Sequence, residues 1–420
     1  NQYETQAMQQ LLLARGDTLG EFDGVCDCYI VNTCTVTAVS DKKSRNAIRR
    51  ARKLNPNAVI GVCGCYAQTA PEEIRKLDVD VLIGTDGRAE FLDKMAAAAA
   101  EKLRWEHVED AGLPRAFEQL PSGGLAERTR ALLKVEDGCN NFCTYCIIPY
   151  ARGAVRSLPA DQAAEQAKGL ARQGYRELVI TGIELSTYGR DLPGRPDLAS
   201  LIEAVCHAVP EMRVRLGSLE PRTVTEDFSA RLAALPNLCP HFHLSLQSGS
   251  DTVLARMKRK YTTQRFLESV RLLRAHFDRP ALTTDLIVGF PGETEEEFQE
   301  TLAFLQRCAF AQMHIFPYSR RQGTPAASMP GQLSNAEKAS RAHRGAELAQ
   351  AMERSWLTGW IGQTVPVLFE EEKDGFWRGH NPQYIEVRVK GEHLHNQLRP
   401  VTITAAGDSL AYGTVKEEQP

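Results

Sequence analysis

Between residues 129 and 330, six short apolar runs alternate with helical segments, and this pattern limits the fold more than any other feature of the chain. The runs are ALLKVED, ELVITG, RVRLGSLE, HFHLSLQ, LTTDLIVGF and QMHIFPY. Near-continuous apolarity suits parallel strands, which helices cover from the sides. The stretches between them, such as DQAAEQAKGLARQG and SDTVLARMKRK, read as helices. Six successive strand–helix units predict a parallel barrel or part of one, with its chemistry at the C-terminal ends of the strands.

The flanking segments read differently. Over residues 1–100, CDCYIVN (26–32), AVIGVC (58–63) and DVLIG (80–84) are expected as buried parallel strands. Between them lie ETQAMQQLLLARG, the basic DKKSRNAIRRARK, and PEEIRKL with Pro71 in its first turn, all expected as helices of a small α/β domain. Residues 105–128, with LPRAF and LPSGGLAER, read as a linker. A polar helix is expected over 334–358. After it TVPVLFEE, GFWRG, YIEVRVKG, PVTITAAG and LAYGTV predict a small closed barrel or OB-like module.

At 420 residues the chain exceeds what one hydrophobic core organises, so two or three domains are expected. The net charge of −3 leaves any nucleic-acid contact to local patches. No apolar run approaches the length of a membrane span. The first residue is Asn1, so a true N-terminus is expected upstream, and no signal peptide is visible. Eleven cysteines, an odd number unevenly clustered, argue against a secreted disulfide framework and for thiolates used as metal ligands in a reducing, cytoplasmic setting.

Three of those cysteines, Cys139, Cys143 and Cys146, form CxxxCxxC directly after an expected strand. A structural zinc site takes four protein ligands, and no fourth lies nearby in sequence. An iron–sulfur cube held by three thiolates keeps one iron corner open for a substrate or cofactor. The alternatives are a zinc site completed from afar, or plain buried thiols.

CxxxCxxC in the first loop of a six-fold βα domain resembles the radical S-adenosylmethionine (SAM) superfamily. The longer DGCNNFCTYCIIPYARG resembles its methylthiotransferase branch, and most closely the members that thiomethylate threonylcarbamoyladenosine in tRNA. The resemblance spans nearly the whole chain. It implies an α/β multidomain fold: a flavodoxin-like auxiliary-cluster domain (1–104), the linker (105–128), a partial (β/α)6 radical SAM barrel (129–356) and a small antiparallel β-barrel of the TRAM type (357–420). It also implies two [4Fe–4S] clusters and SAM. The open iron on Cys139, Cys143 and Cys146 binds the amino and carboxylate groups of SAM, whose reductive cleavage gives a 5′-deoxyadenosyl radical. VNTCTVT and GCYAQ match the auxiliary-cluster motifs, giving Cys34 and Cys65, and the third ligand is expected upstream of residue 1. Without the resemblance those two cysteines read equally as ligands or as buried thiols. Cys26, Cys28 and Cys63 are nearby substitutes; by alternation Cys63 points the same way as Cys65 if the strand reaches that far. Cys206, Cys239 and Cys308 read as core thiols.

Glycine and small polar residues end several strands, in TGIEL, GSLEP, SLQSGS and VGFPGET, where backbone amides become accessible to a ligand. The last also reads as a helix cap, with Thr294 and Glu297 as a capping box. By resemblance Gly182, Glu184, Ser218, Glu220, Ser245, Gln247 and Gly289 are expected near SAM or the target base.

Two basic patches bear on RNA. Lys42, Arg45, Arg49, Arg52 and Lys53 fall near one face of the helix after Cys34, and RMKRK occupies 256–260. Arg152 and Arg156 follow the three-cysteine loop as further phosphate candidates. In the C-terminal module Phe376, Trp377 and Tyr384 are candidates for base stacking, although EEEKD makes it slightly acidic. The resemblance implies 2-methylthiolation of threonylcarbamoyladenosine at position 37, beside the anticodon. It also implies the tRNA anticodon stem-loop as partner, flavodoxin or ferredoxin as electron donor, no membrane, and a monomer. Rival readings are isopentenyladenosine in tRNA or a ribosomal-protein aspartate as substrate, and a non-catalytic iron–sulfur RNA-binding protein.

Overall fold

The computed structural model describes residues 2–123 and 129–416, so the end of the expected linker and the last four residues lie outside the described residues. In chain order it has α1 (Gln2–Ala14), β1 (Cys28–Thr33), α2 (Ala38–Leu54), β2 (Val59–Gly64), α3 (Cys65–Thr69), α4 (Pro71–Arg75), β3 (Val81–Ile83), α5 (Arg88–Glu101) and β4 (Trp105–His107). There follow β5 (Arg130–Lys134), β6 (Glu136–Asp137), α6 (Ile148–Arg152), β7 (Arg156–Ser157), α7 (Ala160–Arg172), β8 (Glu177–Thr181), α8 (Leu198–Ala208), β9 (Arg213–Leu216), α9 (Glu226–Ala233) and β10 (His241–His243). Then come α10 (Asp251–Arg256), α11 (Thr263–His276), β11 (Ala281–Val288), α12 (Glu295–Cys308), β12 (Gln312–Pro317) and α13 (Asn335–Thr358). Five strands end the chain: β13 (Thr364–Lys373), β14 (Phe376–His380), β15 (Glu386–Val389), β16 (Leu398–Ala406) and β17 (Ala411–Val415). Two compact units result. One holds residues 2–123, 136–157 and 319–328; the other holds 129–135, 158–318 and 329–416.

In the first unit β1 to β4 form a wholly parallel sheet in chain order. The flavodoxin order exchanges the first two strands; here each βα unit simply steps one strand along, as consecutive elements usually do. Trp105–His107, at the start of the expected linker, is the fourth strand and pairs with β3. Alternation along β2 divides two cores. Ile60 and Val62 pack with Ile48 and Ala51 of α2, Tyr66 of α3 and Ile74 of α4. Cys63 faces the other side with Met8 of α1 and Phe91, Leu92 and Met95 of α5. Each fully buried side chain such as Phe91 or Ile60 stabilises the unit by roughly 1.5–3 kcal/mol.

In the second unit all six expected strands form. β5-β8-β9 and β10-β11-β12 are parallel three-stranded sheets. Leu219 N–H donates to the His243 carbonyl at 2.9 Å and Ser245 N–H to the Leu219 carbonyl at 3.0 Å, so the two sheets continue as one open, six-stranded cradle. The capping box of Thr294 and Glu297 opens α12 as the sequence reading has it.

The last five strands close into a barrel in the order β13-β14-β15-β17-β16. Val367, Phe369, Trp377, Val387, Val401 and Ile403 fill it. The expected all-antiparallel barrel is corrected at one seam: β15 and β17 are parallel. β16 crosses to pair with β13, so the chain returns to β15 in the same direction. This is the order of an OB-type Greek-key barrel. The barrel is welded to the N-terminal ends of the cradle strands. There the fully buried Glu177 carboxylate accepts from Arg130 and Arg215, Arg213 pairs with it at 2.6 Å, and Arg215 also donates to the Pro382 carbonyl at 2.7 Å.

Candidate functional site

Cys34 and Cys65 follow paired strand ends. Thr33 of β1 faces Gly64 of β2 in the parallel register, so the next residues leave adjacent strands at one level. The exit needs Gly64: its φ is 97°, and a Cβ there would lie 2.5 Å from the Thr33 carbonyl. The Thr33 hydroxyl donates to the Cys63 carbonyl at 2.6 Å and accepts from Ala67 N–H at 3.1 Å, tying the two exits together. The strand ends at Gly64 and Cys65 opens α3, so period-two alternation does not carry from Cys63 to Cys65. Cys63 is fully buried, and that burial pushes its thiol up to about 12. Cys34 is half-buried, and the loop after it is anchored by Arg321, which donates to Asp41 at 2.6 Å and to the Thr35 hydroxyl.

Cys139, Cys143 and Cys146 lie on the irregular segment between β6 and α6. Cys139 N–H donates to the Gly153 carbonyl and Cys146 N–H to the Cys143 carbonyl, each at 3.0 Å. Gly153 has φ 75°, and a Cβ there would lie 2.1 Å from the Ala111 carbonyl, so the loop's closing residue has no room for a side chain. Cys139 and Cys143 are buried and Cys146 half-buried, while Phe142 reaches solvent and meets Tyr150 edge-on at 5.6 Å. None of the eleven cysteines is in a disulfide. Among the described residues no three Cys, His, Asp or Glu side chains meet at the distances of a single metal ion. A cube asks for something else, one thiolate on each of three separate iron corners. Three thiols within eight residues of one loop, none in a disulfide, fit that group, and Cys34 and Cys65 fit as part of a second such set.

The arginines after this loop depart from expectation. Arg152 and Arg156 are buried, not phosphate-facing. Arg152 donates from Nη2 to Glu4 of α1 at 3.0 Å, from Nη1 to Asp137 at 3.2 Å, and from Nε to the sulfur of Cys65 at 3.2 Å. Arg156 donates to Asp137 at 3.0 Å, and Arg88 pairs with Glu4 at 3.2 Å and with Glu118. Burial opposes the charge on Arg152, yet Glu4, then Cys65 and Asp137, raise its pKa well above the usual arginine value. Nothing in the sequence announces this network, because its members come from α1, α3, α5, β6, α6, β7 and the segment that carries Glu118. An arginine in a loop otherwise reads as solvated.

In the second unit the candidate SAM residues gather at strand C-termini. Gly182 and Glu184 follow β8, Ser218 and Glu220 follow β9, and Ser245 and Gln247 follow β10. Burial, then the nearby Glu220 carboxylate, raises the Glu184 pKa, while Arg259 opposes the shift. Glu220 is held by Arg222 and its N–H donates to the Ser186 hydroxyl oxygen at 2.7 Å. Gln247 bridges to β11, donating to Asp285 and accepting from Ile287, each at 2.9 Å. Gly289 turns toward α13: its N–H donates to Glu293 at 3.1 Å, and a Cβ there would meet Lys338. A cavity of about 430 Å³ opens beside Glu220 and Arg222. Cys206 and Cys308 are core thiols that burial pushes up to about 12.

The basic helix α2 divides its charges. Lys42, Lys43, Arg49, Arg50 and Lys53 are exposed. Arg52, expected with them, instead donates to the Ala58 carbonyl and to Asp80, each at 2.8 Å, and Arg45 donates to the Tyr66 hydroxyl at 2.6 Å. In the RMKRK stretch Arg256 is committed to Glu297 and Arg259 lies over the Tyr261 ring, leaving Lys258 and Lys260 exposed. The aromatic candidates separate likewise. Trp377 fills the barrel core. Tyr384 is stacked on His380 at 4.6 Å and flanked by the Arg130 and Arg215 guanidiniums at 5.0 and 4.7 Å. It still keeps 38% of its surface exposed, and Phe376 is half-buried against Tyr412.

Comparison with known proteins agrees with this geometry. Residues 133–305 match the model of the radical SAM superfamily, and residues 1–84 that of the uncharacterized protein family UPF0004. The threonylcarbamoyladenosine tRNA methylthiotransferase MtaB of Bacillus subtilis (strain 168) is 39% identical, over 97% of this chain and 92% of its own. That of Thermotoga maritima is 37% identical, over 95% and 90%. A tRNA-2-methylthio-N(6)-dimethylallyladenosine synthase of Pelotomaculum thermopropionicum is 34% identical, over 97% and 93%. Among solved structures, the radical SAM methyltransferase TsrM of Kitasatospora setae superposes with a TM-score of 0.54 at 16% identity, covering 71% of this chain and 65% of that one, a likeness of fold.

Proposed function

The chain belongs to the methylthiotransferase family of radical SAM enzymes, and from that premise we propose that it converts N6-threonylcarbamoyladenosine at position 37 of tRNA to its 2-methylthio derivative. The reading is supported by the near full-length likeness to relatives named for that substrate, which exceeds the likeness to the dimethylallyladenosine synthase. Cys139, Cys143 and Cys146 hold a [4Fe–4S] cluster through three corners and leave the fourth for SAM. With SAM bound and an electron supplied, the cluster provides the radical chemistry that activates C2 of the adenine. Cys34 and Cys65 would hold two corners of a second [4Fe–4S] cluster, which would supply the sulfur.

The remaining roles fall to this chain's own side chains. Half-buried Glu184 and buried Glu220, with Arg259 and Arg222 beside them, accept from the ammonium or ribose hydroxyls of SAM. Gly182, Ser218, Ser245, Gln247 and Gly289 shape the approach to the strand ends. The divisions of labour are the N-terminal segment through β4 for the auxiliary cluster, 108–128 as connection, 129–356 for radical chemistry and 357–420 as a TRAM module holding the anticodon stem-loop. Exposed Lys42, Lys43, Arg49 and Lys53 contact phosphates. No described helix is long and apolar enough to cross a membrane. The enzyme works as a monomer in the cytoplasm with flavodoxin or ferredoxin as electron donor. Anaerobic reconstitution tests the enzyme class: reduced protein is expected to cleave SAM to 5′-deoxyadenosine, and Cys143→Ala to abolish cleavage. tRNA binding without any cleavage would leave only an iron–sulfur RNA-binding protein.

A further inference from the structure

We propose that Arg152 is a positioning residue of the auxiliary centre, fixing Cys65 and setting the reduction potential of the cluster that Cys34 and Cys65 hold. This rests on the two-cluster reading above. The carrying observation is a single guanidinium used in three directions. Its Nε–H points at the Cys65 sulfur at 3.2 Å while its two Nη groups are gripped by Glu4 and Asp137. The side chain is 3% exposed, so water does not compete for these bonds.

Arg152 lies six residues after Cys146, on α6, and α6 packs against α3, the helix that Cys65 opens. The Thr85 hydroxyl donates to the Ala151 carbonyl at 2.9 Å and locks the same helix to the end of β3. The fork is therefore rigid from both ends: α6 fixes its backbone, and Glu4 and Asp137 fix its planar head. The inner network balances three guanidiniums (Arg88, Arg152, Arg156) against three carboxylates (Glu4, Asp137, Glu118). A metal-bound Cys65 thiolate adds one more negative charge, and Arg152 is the cation that meets it.

An N–H donated to a cluster-ligating sulfur favours the more negative, reduced state and raises the potential. Lysine cannot copy this, because its single ammonium has no side-facing donor while its head is occupied. In the reconstituted full-length enzyme, Arg152→Lys keeps the charge and removes the Nε–H. The potential of the auxiliary cluster is expected to fall, lowering the reduced-to-oxidised ratio at fixed potential about tenfold, or about 59 mV for one electron. Glu4→Gln removes a negative partner of the same guanidinium and is expected to move the couple the opposite way. Arg156→Lys perturbs Asp137 but not a bond to sulfur, because Arg156 donates to Asp137 and to the Arg152 and Ala154 carbonyls, and it is expected to leave the couple in place.

Selective loss of the auxiliary irons from Arg152→Lys, with circular dichroism and the three-cysteine cluster retained, also supports the positioning role. Potentials and electron-paramagnetic-resonance spectra unchanged in both Arg152→Lys and Glu4→Gln would overturn it. Failure of the underlying reading shows elsewhere: if Cys65→Ser removes no iron, no cluster is held there, and the inference falls with it.

Discussion

Thr33 and Gly64 are register partners at the ends of β1 and β2, so Cys34 and Cys65 leave neighbouring parallel strands at the same level. Two residues before Cys65, Cys63 turns into the core with Met8, Phe91 and Met95. Two cysteines one glycine apart thus have different fates. The strand-to-helix switch at Gly64, with its positive φ, separates them.

Iron content tests that separation. In the full-length enzyme, Cys65→Ala is expected to cost about four irons, one cube. Cys63→Ala, which only opens a small gap in the α1–α5 core, is expected to keep them and to lower stability by about 1–2 kcal/mol. Iron lost from Cys63→Ala and kept in Cys65→Ala would reverse the assignment.

The junction of cradle and C-terminal barrel sets an acid limit. Glu177 is buried, which by itself opposes its charge, but Arg215, Arg213 and Arg130 together hold its carboxyl well below the usual range. A carboxylate depressed in the folded state contributes stability that is full above its unfolded pKa of about 4.5 and is lost as pH falls toward the folded value. The native protein is therefore expected to lose stability in urea titrations as pH drops below about 4.5. Glu177→Gln takes the shared carboxylate from buried Arg215 and from half-buried Arg130 and Arg213, and is expected to cost about 3–5 kcal/mol at pH 7, with a flatter acid profile. An equally steep acid profile in the variant would place the loss elsewhere.

Much of this fold was legible before any coordinates. Six apolar runs at regular spacing gave the six cradle strands, Pro71 marked a helix start, and Thr294 with Glu297 marked another, because each signal is local in the chain. Trp105–His107 was missed because three residues within a polar stretch carry no period. The parallel β15–β17 seam was missed because pairing partners are set by crossover, not by strand composition. At the site, cysteine spacing picked out the loop between β6 and α6 and the paired strand exits that carry Cys34 and Cys65. Charge counting misread Arg52, Arg152 and Arg156, since Arg52 is claimed by Asp78 and Asp80, Arg152 by Glu4 and Cys65, and Arg156 by Asp137, each 19 or more residues away.

The exposed face of α2 gives a prediction about RNA. Replacing Lys42, Lys43 and Arg49 by glutamine is expected to weaken tRNA binding and to flatten the dependence of log K on log salt by about 0.7–0.9 per lost phosphate contact. Arg52→Gln should instead lower thermal stability, because its guanidinium closes the α2–β2 turn onto Asp80. An unchanged salt slope in the triple variant would remove α2 from the RNA interface.

The central claim is the identity of the reaction. Nucleoside mass spectrometry of tRNA from a strain deleted for this gene, with and without complementation by the full-length gene, tests it most directly. The account predicts that 2-methylthio-N6-threonylcarbamoyladenosine is absent from the deletion strain, returns on complementation, and does not return with Cys143→Ala. Restoration of the 2-methylthio derivative of isopentenyladenosine instead, or of no thiolated adenosine at all, would contradict it.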